Sequence, residues 1–136
     1  IYHGLTYDGP AQSALAVADD IFVINSFSKY FGMTGWRLGW LIAPRGVVPD
    51  IDKLAQNLFL AAPTVSQYAA LRAFDDEVIA ILEARRDEFR RRRDYLLPAL
   101  RDIGFEVPVT PAGAFYLYAG CSRFTDDSYS FAAQLL

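Results

Sequence analysis

The stretch Asn25-Ser26-Phe27-Ser28-Lys29-Tyr30-Phe31-Gly32-Met33-Thr34-Gly35-Trp36-Arg37-Leu38-Gly39-Trp40 decides how the rest of the chain is read. It begins at the end of Ile21 to Asn25, a short apolar, β-branched run that reads as a buried strand of a parallel-type sheet. Ser26 to Gly35 is rich in Ser, Gly and Thr and reads as a loop, and Trp36 to Ala43 reads as a second strand stopped by Pro44. Ligands in open α/β sheets sit where strands end. The hydroxyls of Ser26 and Ser28 suit phosphate oxygens, and Arg37 can grip the same group with a forked, charge-assisted pair of donors. Lys29 leaves an apolar strand and is partly desolvated there, which favours the free, nucleophilic amine. The glycine spacing matches neither a P-loop nor a dinucleotide fingerprint.

Working outward, the apolar positions Ile51, Leu54, Ala55 and Leu58 have helical spacing within 49–60. Pro63 opens a second helix over 64–74. Acidic Asp75, Asp76 and Glu77 start a third, long helix that ends at Gly104, with Val78, Leu82, Phe89, Leu96 and Leu100 as its apolar stripe. Phe105 to Thr110 and Ala114 to Ala119 read as two strands around a Pro111-Ala112-Gly113 turn, and Ser128 to Leu136 as a helix. The order β-β-α-α-α-β-β-α predicts an α/β or mixed architecture.

Composition narrows the function. With 136 residues, 53% of them hydrophobic and 21% charged, the chain can pack a core and is not a disordered segment. A net charge of −3 argues against a nucleic-acid binder. One cysteine, Cys121, and one histidine, His3, argue against a disulfide framework or a His/Cys metal site, so no metal is expected. No apolar run has the length of a membrane span, and no signal-peptide pattern opens the chain; with a lone cysteine this points to the cytoplasm. The chain starts Ile1-Tyr2-His3-Gly4, its one methionine is Met33, and its last helix has no stop signal, so it reads as a piece of a longer polypeptide.

A lysine amine beside a phosphate cup is what an aldehyde cofactor with a phosphate handle requires. Ser26-Phe27-Ser28-Lys29 followed by Gly35-Trp36-Arg37-Leu38-Gly39-Trp40 closely resembles the class I/II aminotransferases, fold-type I enzymes that use pyridoxal 5′-phosphate (PLP). Tyr2-His3-Gly4-Leu5 with Tyr7 is similar to the family segment after the aspartate that clamps the pyridine nitrogen. Pro111-Ala112-Gly113-Ala114-Phe115-Tyr116 is similar to the family's small-domain strand pair. The resemblance implies an aspartate aminotransferase-like α/β fold. Residues 1–75 would be the C-terminal part of the large PLP-binding domain, and 76–136 the long linking helix and the start of the small C-terminal domain.

Residue by residue, the resemblance implies Lys29 as the Schiff-base lysine and acid/base, Tyr2 as partner of the cofactor's phenolic oxygen, and Ser26 and Arg37 as phosphate ligands assisted by Ser28. It implies transamination between an L-amino acid and a 2-oxo acid, in a homodimer with Asn57 to Thr64 reaching the neighbouring subunit. The family's pyridine-nitrogen aspartate and ring-stacking segment would precede Tyr2. Its substrate-carboxylate arginine would follow Leu136, Arg123 being too early in the pattern, so this chain alone is expected to be catalytically poor or inactive. Two alternatives share the motif: a PLP-dependent C–S lyase, and a non-catalytic aminotransferase-like regulatory domain. Outside the motif, His3 reads as a local hydrogen-bonding residue and Cys121 as a small hydrophobe. Arg90 to Arg93 read as a solvated helix face paired with Asp87, Glu88 and Asp94.

Overall fold

The computed structural model describes all residues, Ile1–Leu136. Two strands, β1 (Val23–Ser26) and β2 (Gly39–Ile42), are followed by helices α1 (Val48–Leu58), α2 (Thr64–Arg72), α3 (Asp76–Ile103) and α4 (Ser128–Gln134).

The strands pair antiparallel, with Val23 opposite Ile42 and Ser26 opposite Gly39. This corrects the parallel expectation. The chain reverses through a single-turn helix at Thr34–Trp36, and the Phe27 amide donates to the Leu38 carbonyl at 3.1 Å, which continues the ladder into the loop. The connection folds back on itself with no helix crossing the sheet, so the returning strand enters antiparallel. Nor is β1 buried: Ile24 is 77% exposed, and Leu41 and Ile42 on β2 are also open. Gly39 is required where the strands meet, since a Cβ there would stand 2.6 Å from the Asn25 carbonyl oxygen.

The loop between the strands carries its own core. Phe27 and Met33 are buried against Ala70 and Ala73, with Phe31, Leu38, Trp40 and Ala69 packed around them. Phe27 meets Phe31, Trp40 and Phe74 at ring-centroid distances of 4.8, 5.0 and 5.9 Å. The lysine-bearing turn is therefore seated on α2, and the face of α2 that receives it is small-residued: Ser66 and Ala70 are buried, as is Ala73 just after its end. Small side chains at that spacing let a loop backbone approach a helix closely.

α3 begins and ends where expected. Gly104 closes it at φ 105°, with its own amide donating to the Arg101 carbonyl and the Phe105 amide to the Leu100 carbonyl. This paired return is a Schellman cap, which favours glycine because its backbone is left-handed. The helix runs through Pro98. Its inward stripe differs from the apolar reading. Leu82 and Leu97 are buried while Leu96 is 46% exposed. The true stripe also includes Arg93, whose side chain is only 11% exposed, so an arginine broke the apolar periodicity.

The two strands expected over 105–110 and 114–119 do not form a ladder. Glu106 and Gly120 make one isolated antiparallel bridge. Gly113 instead bridges to Thr6, with Tyr7 N–H donating to Ala112 O at 2.8 Å and Ala114 N–H to Leu5 O at 2.8 Å. Pro108 and Pro111 lack amide donors, and the Val107 carbonyl is taken by the Arg101 guanidinium at 2.7 and 3.0 Å. The hydrogen bonds that a local hairpin would use therefore go to the N-terminal segment and to α3. α4 is a short helix capped by Asp127, whose carboxylate accepts from the Tyr129 and Ser130 amides at 3.1 Å each. Those bonds, led by the Ser130 hydroxyl, hold the Asp127 carboxyl below its ordinary range.

Candidate active site

β1 delivers Ser26 to the end of the sheet, and the chain turns at once. Ser26 Oγ lies 2.9 Å from Ser28 Oγ and accepts from the Ser28 amide at 3.0 Å, so the two hydroxyls stand side by side. The Asn25 side chain accepts from the Ser26 amide at 2.8 Å. Thr34 Oγ1 donates to the Ser28 carbonyl at 2.7 Å, and Arg37 donates from its guanidinium to the Thr34 carbonyl at 3.0 Å. Ser26, Ser28 and Arg37 are thus joined through Thr34 in one chain of contacts. Arg37 pairs with no carboxylate, unlike Arg86, Arg91 and Arg92 of α3. Arg37 is exposed, so its remaining donors are open to an oxyanion.

Lys29 is half-buried, and its Nζ stands 5.7 Å from the centroid of the Phe115 ring. Tyr2 meets the same ring edge-on at 5.7 Å and Tyr116 edge-on at 5.9 Å. Phe115 is therefore the common neighbour of Lys29 and Tyr2, residues far apart in sequence. The Tyr116 hydroxyl, followed by burial, pushes Tyr2 above its ordinary value, so its phenol remains a proton donor across the neutral range. Of the expected residues, the structure brings Ser26 and Ser28 into direct contact, links Ser28 to Arg37 through Thr34, and sets Lys29 and Tyr2 on one shared ring, Phe115. A cleft of about 500 Å³ lies beside Tyr2, lined by His3, Asn25 and Trp40 among others, and includes none of Ser26, Ser28, Lys29 or Arg37.

The turn is also tied to α3. The Tyr30 hydroxyl donates to Glu83, which in turn pairs with Arg86. Burial, then the Glu83 carboxylate, pushes Tyr30 up to about 12. The arginine run behaves as expected in part: Arg91 and Arg92 both hold Glu88 at 2.7 Å, which lowers its carboxyl to about 2. Arg93 keeps the expected pairing with Asp94, at 2.8 Å, but is sheltered rather than solvated, since it also donates to Pro111 O at 2.6 Å and covers the Tyr7 ring at 4.8 Å. Sequence reasoning also missed Phe115, Thr34 and Ser66 as site neighbours. Phe115 gave no local signal, but Ser66, Ala70 and Ala73, at i, i+4 and i+7, form a readable stripe.

The fold is of the aspartate aminotransferase-like α/β type, since the chain superposes on a Thermus thermophilus aspartate aminotransferase over 99% of its length. The chain belongs to the family described as aminotransferase class I and II, whose model matches residues 1–136. It is 42% identical over 138 residues to the valine–pyruvate aminotransferase of Mycobacterium tuberculosis. The match covers 100% of this chain, which spans 36% of that relative's length. A crystal structure of an aminotransferase from Mycobacterium tuberculosis superposes with a TM-score of 0.93 at 42% identity, over 100% of this chain and 36% of that one. The Thermus thermophilus aspartate aminotransferase with maleate superposes with a TM-score of 0.91 at 33% identity, over 99% of this chain and 36% of that one. No helix of the structure is long and apolar enough to cross a membrane.

Proposed function

We propose that the polypeptide carrying this chain is a PLP-dependent aminotransferase that moves an amino group between an L-amino acid and a 2-oxo acid, with Lys29 as the Schiff-base lysine. The observation that carries this reading is a half-buried lysine over Phe115, the ring that Tyr2 also meets, directly after a pair of touching hydroxyls whose turn also bears an arginine with no carboxylate partner. The aminotransferase names of its relatives support the same reading.

The donor set fits PLP. Two hydroxyls and a free guanidinium match the acceptor-only oxygens of a phosphate ester, and a lysine amine on an aromatic wall matches an aldehyde. PLP supplies an electron sink for negative charge at the substrate's α-carbon. Arg37 and Ser26 would hold the phosphate, assisted by Ser28. Lys29 Nζ would bind the aldehyde and could carry a proton at that nitrogen. The Tyr2 hydroxyl would donate a hydrogen bond to the cofactor's phenolic oxygen.

In this reading residues 1–75 belong to a large cofactor-binding domain and 76–136 to a linking helix and the start of a small domain. The protein acts as a cytoplasmic homodimer, with no nucleic-acid partner. The remaining groups of a full site come from sequence outside this chain, so the 136-residue chain by itself is expected to be inactive. The test is to supply the full-length polypeptide with PLP, an amino-acid panel and 2-oxo acids. New 2-oxo acid with matching amino-acid product supports the proposal. Sulfide release from cysteine-type substrates would favour the C–S lyase alternative, and no turnover with intact cofactor binding the regulatory one.

A further inference from the structure

Ser66 is 4% exposed, and its hydroxyl donates to the carbonyl oxygen of Trp36 at 2.6 Å, thirty positions away on another element. The next residue, Arg37, has a left-handed backbone, φ 51° and ψ 52°. That conformation is unfavourable for any residue with a Cβ and persists only where its surroundings hold it. The peptide between Trp36 and Arg37 is therefore fixed from α2, on its carbonyl side, by a buried side chain. Arg37 is held besides by its own guanidinium, anchored to the Thr34 carbonyl at 3.0 Å, and by its neighbours: the Trp36 amide donates to the Met33 carbonyl and the Leu38 carbonyl accepts from the Phe27 amide, each at 3.1 Å. On α2, Ser66 shares its buried stripe with Ala70, which packs against Phe27 and Met33 in the same turn. An alanine at position 66 would extend this stripe and pack equally well, so the hydroxyl needs a separate explanation.

We propose that Ser66 is a positioning residue for phosphate recognition: by holding the Trp36 carbonyl it fixes the strained backbone of Arg37 and aims the guanidinium at the phosphate of the bound cofactor. This rests on Arg37 being the phosphate ligand, as proposed above. The one hydrogen bond of the Ser66 hydroxyl goes to the Trp36 carbonyl, so its role is to position Arg37. Without its hydroxyl the Trp36–Arg37 peptide can relax out of the left-handed region, and the guanidinium loses its aim while keeping its charge.

The experiment is equilibrium binding of PLP and of pyridoxal, which lacks the phosphate, to the full-length apoprotein, read by absorbance. Wild type, Ser66→Ala, Arg37→Ala and the double variant are compared. The ratio of the two affinities isolates phosphate recognition from general damage to the fold. The expected result is an affinity ratio about tenfold lower in Ser66→Ala, as for loss of one buried hydrogen bond, with no further loss on adding it to Arg37→Ala. Three results overturn the proposal: an unchanged ratio in Ser66→Ala, equal weakening of both ligands, or a Ser66→Ala effect that persists in the Arg37→Ala background. If Arg37→Ala itself leaves the ratio unchanged, the phosphate reading of Arg37 has failed, and Ser66 falls with it. Should Ser66→Ala not fold, Ser66→Cys keeps the volume with a weak donor and is judged by the same ratio.

Discussion

The Tyr30 hydroxyl donates a hydrogen bond to the Glu83 carboxylate, so the residue directly after Lys29 is fastened to the middle of α3. The lysine turn is thereby held from two sides, by the aromatic core on α2 and by a charged acceptor on α3. The contact has a pH signature. Tyr30 is raised from 10.0 to about 12 in the folded protein. A raised value means that its stabilisation is fully present below the unfolded phenol's range and is lost as pH climbs through about 12.

Tyr30→Phe removes this bond and leaves the ring in place. Expected are a loss of about 1 kcal/mol in stability, as for one hydrogen bond, and the disappearance of the latest-ionising tyrosine from an alkaline absorbance titration. A titration identical to wild type would show that Tyr30 is not the protected phenol.

Gly4 faces the same ring. Its φ is 92°, and a Cβ there would stand 2.6 Å from Tyr30 Cγ. Gly4→Ala combines left-handed backbone strain with a clash, and a loss of about 2–4 kcal/mol is expected in denaturant unfolding. A loss no larger than that of a typical surface substitution would mean that Tyr30 and the Tyr2–Leu5 segment are not packed as described.

Within the arginine run, only Arg93 is expected to matter for stability. It ties α3 to the Pro111 carbonyl and to the Tyr7 ring, whereas Arg91 meets Glu88 in solvent. Arg93→Ala should cost about 1–3 kcal/mol by leaving a sheltered carbonyl without its donor, while Arg91→Ala shifts the thermal midpoint little. Equal effects would restore the view of the run as one solvated face.

Phe115 is the ring that both Lys29 and Tyr2 meet, and it is not among the residues proposed to hold the phosphate. Phe115→Leu is therefore expected to lower stability by about 1 kcal/mol through lost ring pairing. The preference for PLP over pyridoxal should remain unchanged in equilibrium binding. A changed preference would mean that the two halves of the site are coupled.

The parts of this arrangement written in local sequence were readable. Ser26 to Trp40 carried its chemistry in consecutive residues, and Pro63, the acidic start at Asp75–Glu77 and Gly104 marked helix ends by backbone constraints acting at those positions. What was not readable depended on distant partners. Phe105–Thr110 and Ala114–Ala119 have strand-like patterns, yet their hydrogen bonds go to Leu5–Tyr7 and to Arg101. Arg93 looked solvated because its neighbours are, and only its place on the inward stripe with Leu82 and Leu97 turns it toward Tyr7. Phe115 reaches Lys29 only after Gly113 has bridged to Thr6, a pairing that no window of sequence contains.

Lys29 is proposed above as the amine that binds the cofactor's aldehyde. Adding PLP to the full-length polypeptide, reducing with borohydride and locating the added mass by peptide mass spectrometry, with Lys29→Ala alongside, tests this without intermediaries. One stable phosphopyridoxyl group is expected, on Lys29, absent from Lys29→Ala. An adduct on Lys53 instead, or none on the full-length polypeptide, would contradict it.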